Sequence, residues 1–118
     1  METMTRDVAS GETLAAISNL VVGSYAEHTG RGPTKARTYS NEDLVVCLTE
    51  GAMTKAERVL VASGHATTVR GTREILQESM REPLIAGIEM LTERPVRAYI
   101  TGNSLALDLA SALFILER

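Results

Sequence analysis

Gly30-Arg31-Gly32-Pro33, followed by Lys35 and Arg37, is the stretch whose residue types and spacing come nearest to a binding site. Glycines let successive backbone amides turn toward one point as an anion nest, and Arg31, Lys35 and Arg37 would add positive charge to it. Such a nest suits a small anion or the phosphate of a nucleotide. The same residues also have a purely architectural use, because a glycine ends a helix and a proline precedes a strand without any ligand. A positive φ at Gly32 would serve either use.

A second group lies further along the chain. At about 100° per residue, Arg70, Glu74, Gln77 and Arg81 form a polar stripe beside an apolar one of Val69, Leu76, Met80 and Leu84. Arg73 falls inside the apolar stripe. A buried charge without a partner is very costly, so Arg73 must either reach water along its stem or meet a carboxylate, and guanidinium groups fill such roles better than ammonium. Arg73, Gln77 and Arg81 are therefore the candidates for a buried polar network or a subunit interface. Glu42, Asp43 and Glu57 are the expected partners of Arg73.

Other reactive residue types are sparse. His28 and His65 are read as loop residues far apart in sequence, without a cysteine or histidine at metal-site spacing. Cys47 sits in an apolar segment with nothing nearby in sequence to lower its pKa, which marks a small core residue rather than a nucleophile. The chain has no G-x-S-x-G, Walker A or dinucleotide fingerprint. No catalytic residue, metal or cofactor is expected.

The elements that must hold these groups follow from periodicity and punctuation. A helix is expected from Ser10 to about Ala26, with Leu14, Ile17, Val21 and Tyr25 on one stripe. Two strands follow, Lys35 to Ser40 and Leu44 to Thr49, joined by a short polar turn, with Leu44, Val46 and Leu48 on one face. Thr54 and Glu57 fit a capping box that opens a helix reaching about Ala62. After Gly64, Thr67 or Thr68 would cap a long helix to about Leu91, bent near Ser79 by Pro83. Val96 to Thr101 and Ala112 to Glu117 are the last strands, with Gly102 to Ser111 connecting them. The order αββααββ points to a two-layer α+β fold, an antiparallel sheet of two hairpins with helices on one face. Residues 1–9 read as a disordered polar leader and 10–118 as one domain.

With 118 residues, 44% of them hydrophobic and 23% charged, the chain has the makeup of one folded domain. Aromatic residues amount to only 3%, so the core must be aliphatic and a subunit interface would add burial. A homo-oligomer, dimer or larger, is expected. The net charge of −3 argues against nucleic acid as a partner. No apolar run approaches the roughly 20 residues that cross a bilayer, and neither direct membrane insertion nor a secretory signal is expected. The single cysteine agrees with a cytoplasmic location.

Taken together these segments resemble the bacterial MpsC-like family, named after the third component of a sodium-translocating, membrane-potential-generating system. The resemblance runs from Gly30-Arg31-Gly32-Pro33 and Ala36-Arg37-Thr38-Tyr39 through Gly51, Thr54 and Ala56-Glu57-Arg58. It continues with Val69, Arg73, Gln77, Met80-Arg81, Leu84, Ile88, Arg94 and the closing Phe114-Ile115-Leu116-Glu117. Two features depart from the family pattern: Glu93 stands where a glycine usually ends the long helix, and Thr101-Gly102-Asn103-Ser104 lacks a histidine often seen in the last hairpin. The resemblance implies a small cytoplasmic protein linked to ion or bicarbonate transport, with no established catalytic residues.

The expected function is accordingly a non-enzymatic cytosolic accessory or regulatory domain, homo-oligomeric, with a membrane transport protein as candidate partner. The alternative is a small-anion or nucleotide sensor built on Gly30 to Arg37 and the long-helix arginines. An enzyme would need a carboxylate or histidine in a cleft with a perturbed pKa.

Overall fold

The computed structural model describes residues 10–118, so the expected leader at residues 1–9 lies outside the described residues. Helix α1 (Gly11–Thr29) is followed by strands β1 (Lys35–Asn41) and β2 (Leu44–Glu50), helices α2 (Lys55–Ala62), α3 (Ala66–Ser79) and α4 (Arg81–Thr92), and strands β3 (Val96–Ser104) and β4 (Leu109–Leu116). The strands form one antiparallel sheet in the order β1-β2-β4-β3. This is the expected α+β fold in the order αββααββ, its long helix divided into α3 and α4.

Local chemistry explains most boundaries. Ser10 caps α1 by accepting the amide of Thr13 at 3.0 Å. Gly30 ends α1 in the left-handed region, φ 81°, where its own amide reaches the carbonyl of Ala26. Thr54 and Glu57 form the capping box of α2. α3 starts one residue before Thr67, with His65 at the cap position and no side-chain cap, so neither threonine is used as expected. The bend comes at Met80, between α3 and α4, which places Pro83 in the first turn of α4, where its missing N–H breaks no helical bond.

Two expected boundaries move. His28 belongs to the last turn of α1 rather than to a loop, with Nδ1 2.8 Å from the carbonyl of Ser24. Strand β3 runs on through Gly102, Asn103 and Ser104, residues of poor strand propensity, because they pair with Ser111, Ala110 and Leu109. The long connection expected from Gly102 to Ser111 shrinks to the four residues between Ser104 and Leu109.

Alternate residues of the sheet point to a helical layer and away from it. On the helical side Val45, Cys47, Tyr99, Ala112, Phe114 and Leu116 meet Ile17, Val21 and Tyr25 of α1 and Leu84 and Ile88 of α4. Gly87 lets α1 and α4 approach, since a Cβ there would lie 2.6 Å from Leu20 Cδ2. A smaller cluster of Met53, Val69 and Leu105 joins the tip of the β3–β4 hairpin to the α2–α3 side.

Candidate functional site

The core face of the sheet carries one row of small or polar side chains at the end nearest the β3–β4 turn: Ala36, Thr49, Ala110 and Asn103, placed in line by the register. Over this row α3 presents Arg73 and Gln77, which are 3% and 1% exposed. They lie one helical turn apart on the same face.

Arg73 Nη1 donates to both carboxylate oxygens of Glu57, at 3.1 and 3.3 Å, and its Nε donates to Asn103 Oδ1 at 3.3 Å. Gln77 and Asn103 exchange bonds: Gln77 Nε2 donates to Asn103 Oδ1 at 2.7 Å, and Asn103 Nδ2 donates to Gln77 Oε1 at 2.9 Å. Gln77 Nε2 also reaches the Tyr25 hydroxyl at 2.9 Å, and the Tyr99 hydroxyl donates to the Gln77 carbonyl at 2.8 Å. The Arg73 guanidinium carbon lies 5.8 Å from the centre of the Tyr25 ring. Six residues from α1, α2, α3 and β3 thus make one hydrogen-bonded cluster.

Burial sets the electrostatics of its phenols. It pushes the Tyr25 hydroxyl above its ordinary value, against opposing pulls from the Gln77 bond and the Arg73 charge. It pushes Tyr99 up further, with Tyr25 and Glu78 adding to the effect. Both phenols are held protonated at neutral pH, Tyr99 as a donor to the Gln77 carbonyl and Tyr25 as the acceptor of the Gln77 amide. The guanidinium is matched to a carboxylate and the two amides are matched to each other. Such an arrangement fixes four elements relative to one another; it offers no unmatched base or nucleophile.

The residues singled out in the sequence divide between this cluster and other places. Arg73 and Gln77 are in the cluster, and Gln77 is buried although its stripe reads as polar. Arg81 lies outside the hydrogen bonds; it pairs with Glu78, Nε to Oε2 at 2.6 Å, and stacks 5.2 Å from the Tyr99 ring. Among the carboxylates considered for Arg73, Glu57 is the partner, while Asp43 meets Arg118. The Arg118 bond holds the half-buried Asp43 carboxyl below its ordinary value.

The Gly30 to Arg37 stretch is arranged differently. Its positive φ belongs to Gly30, not to Gly32, which instead packs beside Val22. Arg31 Nε donates to the carbonyl of Gly51 at 3.0 Å. Lys35 and Arg37 share the exposed side of β1, and Arg37 lies 3.9 Å from Glu50. Other arginines of the resemblance also bond the backbone: Arg58 donates to the Met53 carbonyl at 2.7 Å, and Arg94 to the Glu117 carbonyl at 2.8 Å. Cys47 is fully buried, and burial raises its thiol pKa.

Sequence reasoning missed Asn103, Tyr25 and Tyr99 as members of the cluster. The available signal was alternation: Asn103 stands two and four residues from Thr101 and Tyr99 and shares their inward face. Among the described residues no group of three or more histidines, cysteines or acids could hold a metal ion, and no helix is long and apolar enough to cross a membrane.

Comparison with known proteins places these residues in context. A family model described as Na+-translocating membrane potential-generating system (MpsC) matches residues 9–118. No curated protein and no solved structure matches the chain.

Proposed function

The chain belongs to the MpsC family, whose description ties it to a Na+ membrane-potential system, and from that premise we propose a non-enzymatic cytosolic accessory or regulatory domain that acts as a homo-oligomer on a membrane transport protein. The observation that carries this reading is the closed polar cluster around Arg73 and Gln77. Its strongest donors and acceptors are spent on each other, as in a structural lock, rather than left facing a cleft as catalysis requires.

The test is capture of the tagged chain from membranes of its native cells together with measurement of membrane potential after deletion. The reading expects an integral transport protein of sodium or bicarbonate to copurify and the potential to change on deletion. If the protein is normally expressed and no transport protein copurifies and the potential is unchanged, the reading is overturned.

The anion-sensor reading draws its support from Lys35 and Arg37, two cations on the same exposed strand face. Calorimetric titration with bicarbonate, phosphate and ATP distinguishes it, since a sensor gives saturable heat that Lys35→Ala and Arg37→Ala abolish.

A further inference from the structure

The helices pack against one side of the sheet, and the opposite side is mostly apolar and carries no helix among the described residues. The register lines its outward side chains into four rows across β1, β2, β4 and β3. One row reads Tyr39, Val46, Leu113, Ile100, and the next reads Asn41, Leu44, Ile115, Ala98. The third is Arg37, Leu48, Ser111, Gly102, and the last is Lys35, Glu50, Leu109, Ser104. Tyr39 and Ile100 at the two edges are 50% and 55% exposed. The charged members, Lys35, Arg37 and Glu50, gather at one corner. A body 55 × 22 × 22 Å has the thickness of one sheet and one helical layer.

We propose that this sheet face is the surface on which two copies of the chain pair, sheet against sheet. The proposal rests on the homo-oligomeric part of the reading above and assigns its interface. Three observations favour a second copy. The first is self-complementary shape. A two-fold axis running along the strands between β2 and β4 lays each row on its own reverse, so that Leu48 meets Ser111, Arg37 meets Gly102 and Val46 meets Leu113 of the other copy. In the third row a large side chain thereby faces a small one, and in the first two rows apolar side chains face each other near the axis. An open hollow of about 320 Å³, lined by Leu48, Gly102, Asn103, Ser104, Leu109 and Ser111 among others, lies where the third row needs room. Packed sheets keep their strands within about 30° of each other, which preserves these pairings near the axis.

The second is charge. The same axis brings the Lys35–Arg37–Glu50 corners of both copies to one end, where both signs are present and water remains, and leaves apolar rows on apolar rows. An anionic lipid surface is a poorer occupant, because the charged corner holds the acidic Glu50 beside Lys35 and Arg37. The third is area. Four strands about 4.8 Å apart and about seven residues long project to about 450 Å². Side-chain relief enlarges the accessible area beyond the projection, so two such faces together approach the roughly 1,200 Å² at which specific interfaces begin.

Light scattering coupled to gel filtration tests the assignment. The native chain is expected at twice its 12.7 kDa mass. Tyr39→Lys with Ile100→Lys should give a monomer with unchanged helical circular dichroism. Met90→Lys with Ile75→Lys changes two residues that are 81% and 70% exposed on helices, and should leave the dimer intact. If the lysine pair impairs folding, Tyr39→Thr with Ile100→Thr keeps strand propensity and should raise the dimer dissociation constant at least tenfold. A dimer that survives the sheet substitutions, or that the helical pair dissociates, overturns the assigned face and leaves the homo-oligomer standing. A monomeric native chain overturns both. Copurification with a transport protein is independent of either result.

Discussion

Arg73 Nη1 lies 3.1 Å from Glu57 Oε1, the same oxygen that accepts the amide of Thr54 at 2.8 Å. The residue that caps α2 is therefore also the counter-ion of α3. Removing the cation leaves a largely buried carboxylate with only its cap bond. We expect Arg73→Met to cost about 3–5 kcal/mol, well above the 0–1 kcal/mol of an exposed pair. Urea denaturation measures it, and a double-mutant cycle with Glu57→Gln should return a coupling of more than 1 kcal/mol. A loss near zero would show that the pair is not needed for stability.

Gln77 supplies three side-chain bonds at 1% exposure. In Gln77→Met the volume is kept, but Asn103 loses two of its bonds and the Tyr25 hydroxyl loses its donor. Buried groups stripped of a partner cost about 1–3 kcal/mol each. A loss of about 2 kcal/mol or more in thermal or urea unfolding is expected, and it should shrink when Asn103→Ala is introduced alongside.

Glu93 ends α4 in the left-handed region, φ 58° and ψ 33°, at the position where glycine carries no steric penalty. Glu93→Gly should therefore stabilise the protein, by about 0.5–1 kcal/mol after the extra freedom of the unfolded chain is subtracted. A lower melting temperature for this variant would contradict the assignment of strain.

Gly30 and Gly32 should respond differently to alanine. Gly30→Ala forces a side chain into φ 81° and should cost about 1 kcal/mol or more. In Gly32→Ala the tightest contact is with the Val22 Cγ1 methyl at 3.2 Å, which a small shift relieves, so its effect should be smaller. Equal losses in a paired melting experiment would show that backbone geometry does not separate the two.

The pH dependence follows from Tyr25 and Tyr99, whose burial raises both phenols above the ordinary value of 10.0. The folded state holds these protons more tightly than the unfolded chain. Their contribution is complete below about pH 10 and declines as pH rises past it toward the folded values. Chemical denaturation between pH 8 and 11 should show stability falling above pH 10, and Tyr25→Phe should flatten that fall. An unchanged slope in Tyr25→Phe would assign the alkaline sensitivity elsewhere.

Much of this architecture is legible in the sequence because its causes are local. The capping box is written in Thr54 and Glu57, the helix stop in Gly30, and the bend at Met80 in a proline three residues later. The burial of Arg73 is visible in its helical phase among Val69, Leu76 and Met80. Tertiary structure decided the rest. Gln77 looks polar by phase, yet α3 bends over a sheet row of small residues and buries it. Asn103 lies in a run that reads as loop, and only pairing with Ala110 makes it strand and turns its amide inward. The partners of Gln77 stand 52 and 26 residues away, so no window of sequence contains the cluster. Periodicity tells which residues share a face, whereas the strand order decides what that face meets. For Val45, Cys47 and Phe114 it meets helices; for Val46, Leu113 and Ile100 it meets no helix among the described residues, because those helices pack on the other side.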